Sequence, residues 1–239
     1  MERSITVDFS RPVPLFPLGG TVLLPHAVQG LHVFEPRYRQ MVEACLSEVR
    51  GGSLLTARPI AMATVAATGG GRGGPVPLRP AVCVGQIVQH ERLPDGRHMI
   101  LLHGVCRARI ERIDEADGRR LYREALLRPI EPPARTPPRM PEARRALRQL
   151  LLRPRVQRLA CAKAASAWVE RGDLPAHAMI ELVGASLIQD EPTRYALLEA
   201  SDPWARARMV AQAIVHLEEL VCGAESQHPE QWPKGLSWN

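Results

Sequence analysis

Apolar residues in the first half of the chain fall in short, strand-like runs with one helical interruption. From Val13 to about Glu131 these runs predict several short β-strands. Proline at position 36 suits the start of a helix, where no backbone N–H is required. Apolar residues then recur at helical spacing, at Tyr38, Met41, Val42, Cys45, Leu46 and Val49. The pattern therefore predicts a sheet with one early inserted helix.

Two Asp-Gly pairs predict chain reversals between strands. Asp95-Gly96 lies within Val82–Ile110 and is the pair favoured by the two-residue turn of a β-hairpin. Gly104, in the second strand of this hairpin, indicates a β-bulge. The second pair, Asp117-Gly118, predicts that a further strand follows and makes a meander. Short strands in this order predict a small, partly closed barrel.

The second half of the chain has a helical pattern from Glu142 to Gly223. Between the halves, residues 128–141 carry six prolines, which remove backbone donors and disfavour helix. We therefore predict an α+β fold in four parts: a β barrel at 12–131, a proline-rich linker at 132–141, a helical bundle at 142–223 and a mobile tail at 224–239.

The net charge of +6 raises the question of a nucleic-acid partner. Lysine occurs only at Lys163 and Lys234, so nearly all of the basic charge is arginine. The arginines are interspersed with acidic residues and do not form the continuous basic stripe expected of a phosphate-binding surface. The charge alone therefore identifies no partner.

Cysteine spacing and hydropathy bear on the cellular location. The five cysteines are widely spaced and form no CxxC pair, so we interpret them as reduced, mostly packed thiols. No secretion signal is recognisable near the N-terminus, and no run approaches the ~18 apolar residues of a membrane helix. We therefore expect a soluble, cytoplasmic protein without a membrane partner.

Motifs of common catalytic and metal sites do not occur in the sequence. The glycine-rich segment TGGGRGGP at 68–75 lacks the lysine and hydroxyl residue of a phosphate-binding GxxxxGK[ST] loop. Lys163 and Ser166 are three positions apart on a predicted helix, but nothing suggests a pocket that would activate the lysine. The eight histidines include no HExxH motif. We therefore expect no catalytic, cofactor-binding or metal-binding residues, and no enzyme activity.

Residues 13–41, VPLFPLGGTVLLPHAVQGLHVFEPRYRQM, resemble the opening of the Lon protease N-terminal domain family. The family signature runs PLFPL, an apolar strand, LP and then HIFEPRYR. Three further matches follow in order: a strand with Gly85 in Val84–Ile87, LPDGR at Leu93–Arg97, and an xGxxR element at His103–Arg107. The resemblance therefore rests on several ordered motifs.

A weaker match extends the resemblance toward the C-terminus. Leu197-Leu198-Glu199, followed by Asp202 and Arg206 or Arg208, is similar to the family's helical LLE..D...R segment. The resemblance then covers Pro12 to about Val221. Two departures, Gly19-Gly20 and the glycine-rich loop at 68–75, leave the location of a recognition surface open.

The resemblance implies both a fold and a function. Members of the family share a pseudobarrel similar to the PUA fold, followed by helices, and occur in Lon proteases, in cereblon-type ubiquitin-ligase adaptors and as free-standing bacterial proteins. Their common theme is the binding of other polypeptides. For this chain the resemblance implies a PUA-like β pseudobarrel with one inserted helix and a C-terminal α-helical bundle, acting as a stand-alone, non-catalytic polypeptide-binding module.

The motif residues are interpreted as mainly structural, with a binding role as the alternative: Pro25, His32, Phe34, Glu35, Pro36, Arg37, Tyr38, Gly85, Asp95, Gly96, Gly104 and Arg107. We expect Phe34 and Tyr38 in the core. We expect Glu35 to accept hydrogen bonds from free N–H groups at the helix start, so that Glu35→Ala costs ~1 kcal/mol. Arg37 or Arg39 is expected to pair with Glu35.

Two classes of function stay open at this point, beside an enzyme whose residues no motif reveals. The favoured function is recognition of unfolded or exposed protein segments, as an adaptor or chaperone-like factor in quality control, with a protease as a candidate partner. The alternative is RNA binding by the PUA-like barrel, prompted by a pI near 9.5. It ranks lower because aromatic residues, which stack on bases, form only 4% of the chain. The oligomeric state is not predicted.

Overall fold

The computed structural model describes residues 5–66, 76–130 and 140–226. Six strands occupy β1 Val13–Leu18, β2 Val28–Val33, β3 Ile60–Val65, β4 Leu78–Arg92, β5 His98–Asp114 and β6 Glu124–Pro129. Six α-helices occupy α1 Pro36–Ser47, α2 Met140–Leu151, α3 Ala160–Glu170, α4 Ala176–Leu187, α5 Glu191–Glu199 and α6 Pro203–Ser226. Short 3-10 helices lie at Leu54–Thr56 and Val156–Arg158. The α+β class and the early helix after Pro36 are therefore confirmed.

The strands form one mixed sheet in the order β2-β5-β4-β3-β1-β6, and β5 also pairs with β6. Strands β1 and β3 are parallel, and the other pairings are antiparallel. The long strand β5 pairs with β4 along one edge and with β2 and then β6 along the other. Five strands therefore form a closed ring, β1-β3-β4-β5-β6, and β2 lies outside it.

The interior of the ring is apolar and made of small and branched side chains. Alternate residues of each strand face inward, as the two-residue repeat of a strand requires. The cluster consists of Val13, Leu15, Ala61, Ala63, Val82, Val84, Ala108, Ala125 and Leu127. Helix α1 buries the predicted face at Tyr38, Met41, Val42 and Cys45.

Contacts divide the chain into two compact units. The first contains Met1–Thr136 and Gln189–Asp202, and the second contains Pro137–Ile188 and Pro203–Asn239. The sheet, α1 and α5 therefore belong to the first unit. The predicted bundle of 142–223 includes α5. In the structure, α5 packs against the sheet and belongs to the first unit, whereas the helices before and after it in the chain belong to the second.

The second unit consists of α2, α3, α4 and α6. A buried ion pair lies within it, with Arg206 Nε 2.8 Å from Glu181 Oε1 and both side chains at most 2% exposed. Residues 132–139 of the predicted linker and residues 227–239 of the predicted tail lie outside the described residues, as does the glycine-rich loop. Helix α6 continues to Ser226, so Gly223 does not end it as predicted and 224–226 are helical. Within the described residues, no helix is long and apolar enough to cross a membrane.

Candidate functional site

Strand β2 forms an edge of the sheet. Among the described strands it pairs only with β5. In an antiparallel pair, alternate residues direct their N–H and C=O groups away from the partner strand. The hydrogen bond from Gly104 N to Ala27 O, at 2.9 Å, indicates that these outward groups belong to Val28, Gly30 and His32. This edge can therefore accept hydrogen bonds from, and donate them to, another extended chain.

Exposed side chains beside this edge form an apolar patch, which we call the edge patch. It consists of Val28, His32 and Phe34, which alternate along β2 and just beyond it, and Met99, which lies opposite His32 on β5. Val28 is 51% exposed, Phe34 60% and Met99 41%. The ring centroids of His32 and Phe34 are 5.9 Å apart. Clustered exposed apolar side chains are typical of interaction surfaces.

The two aromatic residues of the FEPRY motif have opposite environments. Tyr38 is buried, as predicted, and its ring packs edge-on against Phe16 at 4.5 Å between centroids. The prediction that Phe34 is a core residue is wrong. Phe34 directly follows β2 and keeps the outward phase of Val28 and His32, so its ring is directed to solvent.

Glu35 precedes α1 but does not cap it. Its carboxylate makes no capping hydrogen bond. Instead, Oε2 accepts a hydrogen bond from Arg37 Nε at 2.9 Å, and Arg37 Nη2 lies 2.8 Å from the same oxygen. The predicted pairing with Arg37 is therefore confirmed and the predicted cap is wrong, because the nearby guanidinium occupies the carboxylate. An exposed ion pair of this kind contributes less than ~1 kcal/mol. Glu35→Ala should therefore cost less stability than was predicted for the loss of a cap.

The turn between β4 and β5 contains three residues, not the two that were predicted. Leu93 N donates to Arg97 O at 2.8 Å, and Gly96 N donates to Leu93 O at 2.9 Å. Pro94 suits the first central position of a type I turn, and Gly96, with φ of 80°, supplies the left-handed residue that completes the loop.

Arg39 connects this turn to helix α1. A Cβ atom added at Gly96 would lie 2.5 Å from Arg39 Nη2. Within the turn, Arg97 lies beside Asp95 and its hydrogen bonds hold the pKa of that exposed carboxyl below its usual value. The motifs FEPRYR and LPDGR are therefore adjacent in space, and both flank the edge patch.

Pro25 and Gly104 hold the start of β2 against β5. Pro25 is buried, and the next residue, His26, adopts a φ of 64° and donates its N–H to Gly104 O at 2.8 Å. A Cβ atom at Gly104 would overlap the carbonyl oxygen of Leu24, so only glycine fits there. The register between β4 and β5 shifts beside Gly104, which confirms the predicted bulge. Gly85 is close to Leu102, where an added Cβ would lie 2.6 Å from Cγ.

Arg107 of the xGxxR element is a buried anchor for α5. Its side chain is 1% exposed. Nε donates to Leu198 O at 3.1 Å, and Nη2 donates to Leu197 O at 3.4 Å. The last carbonyl groups of a helix lack partners within the helix, and a cation is favourable at that end. Arg107 is therefore a structural residue that joins the xGxxR element to the Leu197-Leu198-Glu199 segment.

A cavity of about 310 Å³ opens beside the N-terminal end of α1. Its apolar walls include Leu15, Pro17 and Leu121, and the rings of Tyr38 and Tyr122 also line it. Its charged residues are Arg37, Arg123 and Glu115. We call it the tyrosine pocket. It lies within the first unit and shares Arg37 and Tyr38 with the FEPRYR motif.

Several residues that hold the site together were not identified from the sequence. Tyr195 of α5 accepts a hydrogen bond from Ala81 N at 2.7 Å, and Arg79 lies over its ring at 3.2 Å from the centroid. Met99 and Val28 of the edge patch were also missed. Val28 shares the phase of the polar His32 along β2, so the two-residue repeat was a signal that would have found it, whereas nothing in the sequence around Met99 marks that residue as exposed.

A histidine pair lies near the hairpin. His98 is 1% exposed, its Nδ1 lies 2.9 Å from His90 Nε2, and its Nε2 lies 3.5 Å from Glu43 Oε1. Burial and then the neighbouring His98 lower the pKa of His90. Among the residues that the structure describes, no group of three or more His, Cys, Asp or Glu side chains could hold a metal ion.

Comparisons with known proteins agree with this architecture. A crystal structure of a Lon N-terminal domain protein from Xanthomonas campestris matches with a TM-score of 0.54 and 24% identity, over 84% of this chain and 96% of that chain. The N-terminal domain of Mycobacterium avium complex Lon protease matches with a TM-score of 0.63 and 19% identity, over 86% and 98%. At these identities the similarity shows the fold alone. No curated protein matches the sequence.

The family model described as the ATP-dependent protease La (LON) substrate-binding domain matches residues 12–216. This range includes parts of both units and each motif discussed above. It covers most of the 239 residues. The chain therefore belongs to the Lon substrate-binding domain family.

Proposed function

We propose that this chain recognises protein substrates by binding an extended polypeptide segment along strand β2. The observation that carries the proposal is the edge of β2 that pairs with no other described strand, beside the exposed side chains of the edge patch. An extended peptide added to a sheet edge gains main-chain hydrogen bonds, and its alternate side chains contact the neighbouring surface. Family membership supports the same function.

The side-chain arrangement favours apolar segments. Val28, Phe34 and Met99 present three large apolar groups, and His32 lies among them. Unfolded proteins expose apolar side chains that native proteins bury. A surface that binds apolar segments would therefore bind unfolded proteins in preference to native ones. We further propose that the chain acts in the cytoplasm as an adaptor or chaperone-like factor in protein quality control, without catalytic activity of its own. A separate protease is the partner that this role would require for degradation.

RNA binding is not favoured as the function of the barrel. Arginines on the exposed surface of the first unit pair with acids, as in Arg112 with Asp114 at 3.1 Å and Arg128 with Glu111 at 3.2 Å. Paired arginines present less net positive potential to a phosphate backbone. A labelled RNA therefore serves as the comparison ligand in the experiment.

The side-chain contribution is tested with Phe34→Ala. The measurement is fluorescence anisotropy of a labelled, permanently unfolded polypeptide titrated with the protein. Loss of the exposed ring should weaken binding about fivefold, because apolar contact area is lost. Leu152→Ala is the matched control, since Leu152 is 55% exposed in the second unit. Equal affinities for the two variants would contradict a role for the edge patch.

The backbone contribution is tested with Gly30→Pro against Gly30→Ala. The N–H of Gly30 points away from β5, so proline removes an edge donor without removing a bond to β5. An alanine Cβ would lie 4.0 Å from Leu101 Cδ1, which is ordinary contact, so the alanine variant keeps both the donor and the packing. We expect only proline to weaken polypeptide binding, with similar melting temperatures for both variants.

Two further measurements complete the experiment: the salt dependence of polypeptide binding, and the binding of a labelled RNA. Polypeptide binding that persists from low to moderate salt supports the proposal, because apolar contacts and main-chain hydrogen bonds are weakly screened. Binding to RNA alone, lost as salt rises, would replace it with the nucleic-acid function.

A further inference from the structure

The tyrosine pocket combines apolar walls with hydrogen-bond donors that have no partner. Tyr38 is 5% exposed as a residue, and its hydroxyl group, which is open to the pocket, makes no hydrogen bond within the described residues. Burial raises the pKa of Tyr38 above its usual 10.0, so the hydroxyl keeps its proton at physiological pH. A hydroxyl group that opens into a cavity without a protein partner can donate a hydrogen bond to a ligand there.

Arg37 and Arg123 add charged donors to the same pocket. Glu35 occupies Nε and Nη2 of Arg37 and leaves Nη1 for another acceptor. Arg123 donates from Nη1 to Val76 O at 2.9 Å, and Nη1 lies 4.0 Å from Glu115 Oε1. A guanidinium group carries five N–H donors, so both arginines keep donors beyond those contacts.

The pocket also lies near the N-terminal end of a helix. Arg37 and Tyr38 lie in the first turn of α1, a helix of 12 residues. The N-terminal end of a helix carries a partial positive charge. Glu115 is the one acid that lines the pocket, against two arginines. The chemistry that fits is therefore a carboxylate attached to an apolar group.

We propose that the tyrosine pocket binds the C-terminal residue of a polypeptide, with its carboxylate on Tyr38 and Arg37 and its apolar side chain against Leu121 and Tyr122. A chain end carries both groups on one carbon atom, so one cavity can hold the carboxylate and the side chain together. This inference rests on the proposed function and names the part of a substrate that this pocket recognises.

The test compares three fluorescein-labelled peptides by anisotropy. One has an apolar sequence ending in leucine with a free carboxylate, the second is its C-terminal amide, and the third is an amide with an internal aspartate. We expect the free acid to bind about tenfold more tightly than either amide. Equal tightening by the internal aspartate would overturn the assignment to a chain end.

Variants connect the preference to the pocket. Tyr38→Phe removes the unpartnered hydroxyl and keeps the ring on Phe16, and Arg37→Gln removes an exposed cation. Each should reduce the preference for the free acid to within about threefold, with little change for the amide. Arg112→Gln is the matched control, because Arg112 is also exposed and paired with an acid two residues away.

The outcomes separate this inference from the proposed function. Equal binding of acid and amide to the wild-type protein would overturn the carboxylate site, and the proposed function would still stand. Binding of none of the peptides would contradict both. A preference that survives Tyr38→Phe and Arg37→Gln, in variants that melt like the wild type, would show that the carboxylate binds elsewhere and would overturn the inference.

Discussion

Arg107 shows how one buried charge can determine local stability. Its guanidinium donates to the carbonyl groups of Leu197 and Leu198 in the interior of the first unit. A buried acceptor that loses its donor costs more free energy than an average hydrogen bond contributes, because water cannot replace the donor.

We predict that Arg107→Met lowers the free energy of unfolding by about 3 kcal/mol. Arg109→Met is the control on the same strand, where the side chain is 40% exposed and lies 3.7 Å from Glu199. It should cost below about 1 kcal/mol. Urea-induced unfolding of both variants measures the difference, and equal costs would show that Arg107 does not anchor α5.

Individual residues of the site were predicted unevenly from the sequence. Arg107 was identified as a motif residue, but its acceptors lie 90 and 91 positions away, and no local pattern connects them. Phe34 was assigned to the core by its hydrophobicity. The two-residue repeat along β2 would have placed it outside, beside His32.

Helix α5 is the element whose position differs most from expectation. Its residues lie within the helical pattern at 142–223, which predicted that it belongs to the bundle with its neighbours in the chain. Tyr195 binds the backbone of β4, and Arg107 of β5 binds its C-terminal end. Side-chain hydrogen bonds across more than 90 positions therefore place this helix, and they leave no periodic signal in the sequence.

The docking of α5 predicts a difference between two tyrosines. Tyr195→Phe removes the acceptor of Ala81 N in a buried position and should cost about 1 to 3 kcal/mol of stability. Tyr38→Phe removes a hydroxyl without a described partner and should cost less than about 0.5 kcal/mol. Thermal and urea unfolding of the two variants measure the difference. A destabilised Tyr38→Phe would mean that its hydroxyl supports the fold.

At the scale of the whole molecule, buried weak acids should limit stability at high pH. Burial raises the pKa of Cys45 from 9.0 to about 12, and it also raises the pKa of Tyr38, Tyr122 and Tyr195. The unfolded chain therefore releases these protons at a lower pH than the folded chain. The stabilisation is complete below pH 9 and is lost as the pH rises toward 12.

We predict that the free energy of unfolding falls between pH about 9 and about 12. Cys45→Ala should show a lower stability at pH ~8, because a buried side chain is shortened, and a shallower decline above it. Urea unfolding at several pH values provides the slopes. Parallel slopes for the two proteins would exclude Cys45 as a source of the decline.

The strands close their ring by themselves, but the first unit that contains them also needs a segment from much later in the chain. Its fold includes Gln189–Asp202, so the chain passes from one unit to the other at 136/137, at 188/189 and at 202/203. During synthesis, the acceptors of Arg107 and the partner of Ala81 emerge from the ribosome only after α2, α3 and α4. Strand β2, the proposed binding edge, is therefore synthesised early in a unit that stays incomplete until α5 exists. A fragment ending before residue 189 would lack part of the unit's core, including Tyr195, Leu197 and Leu198.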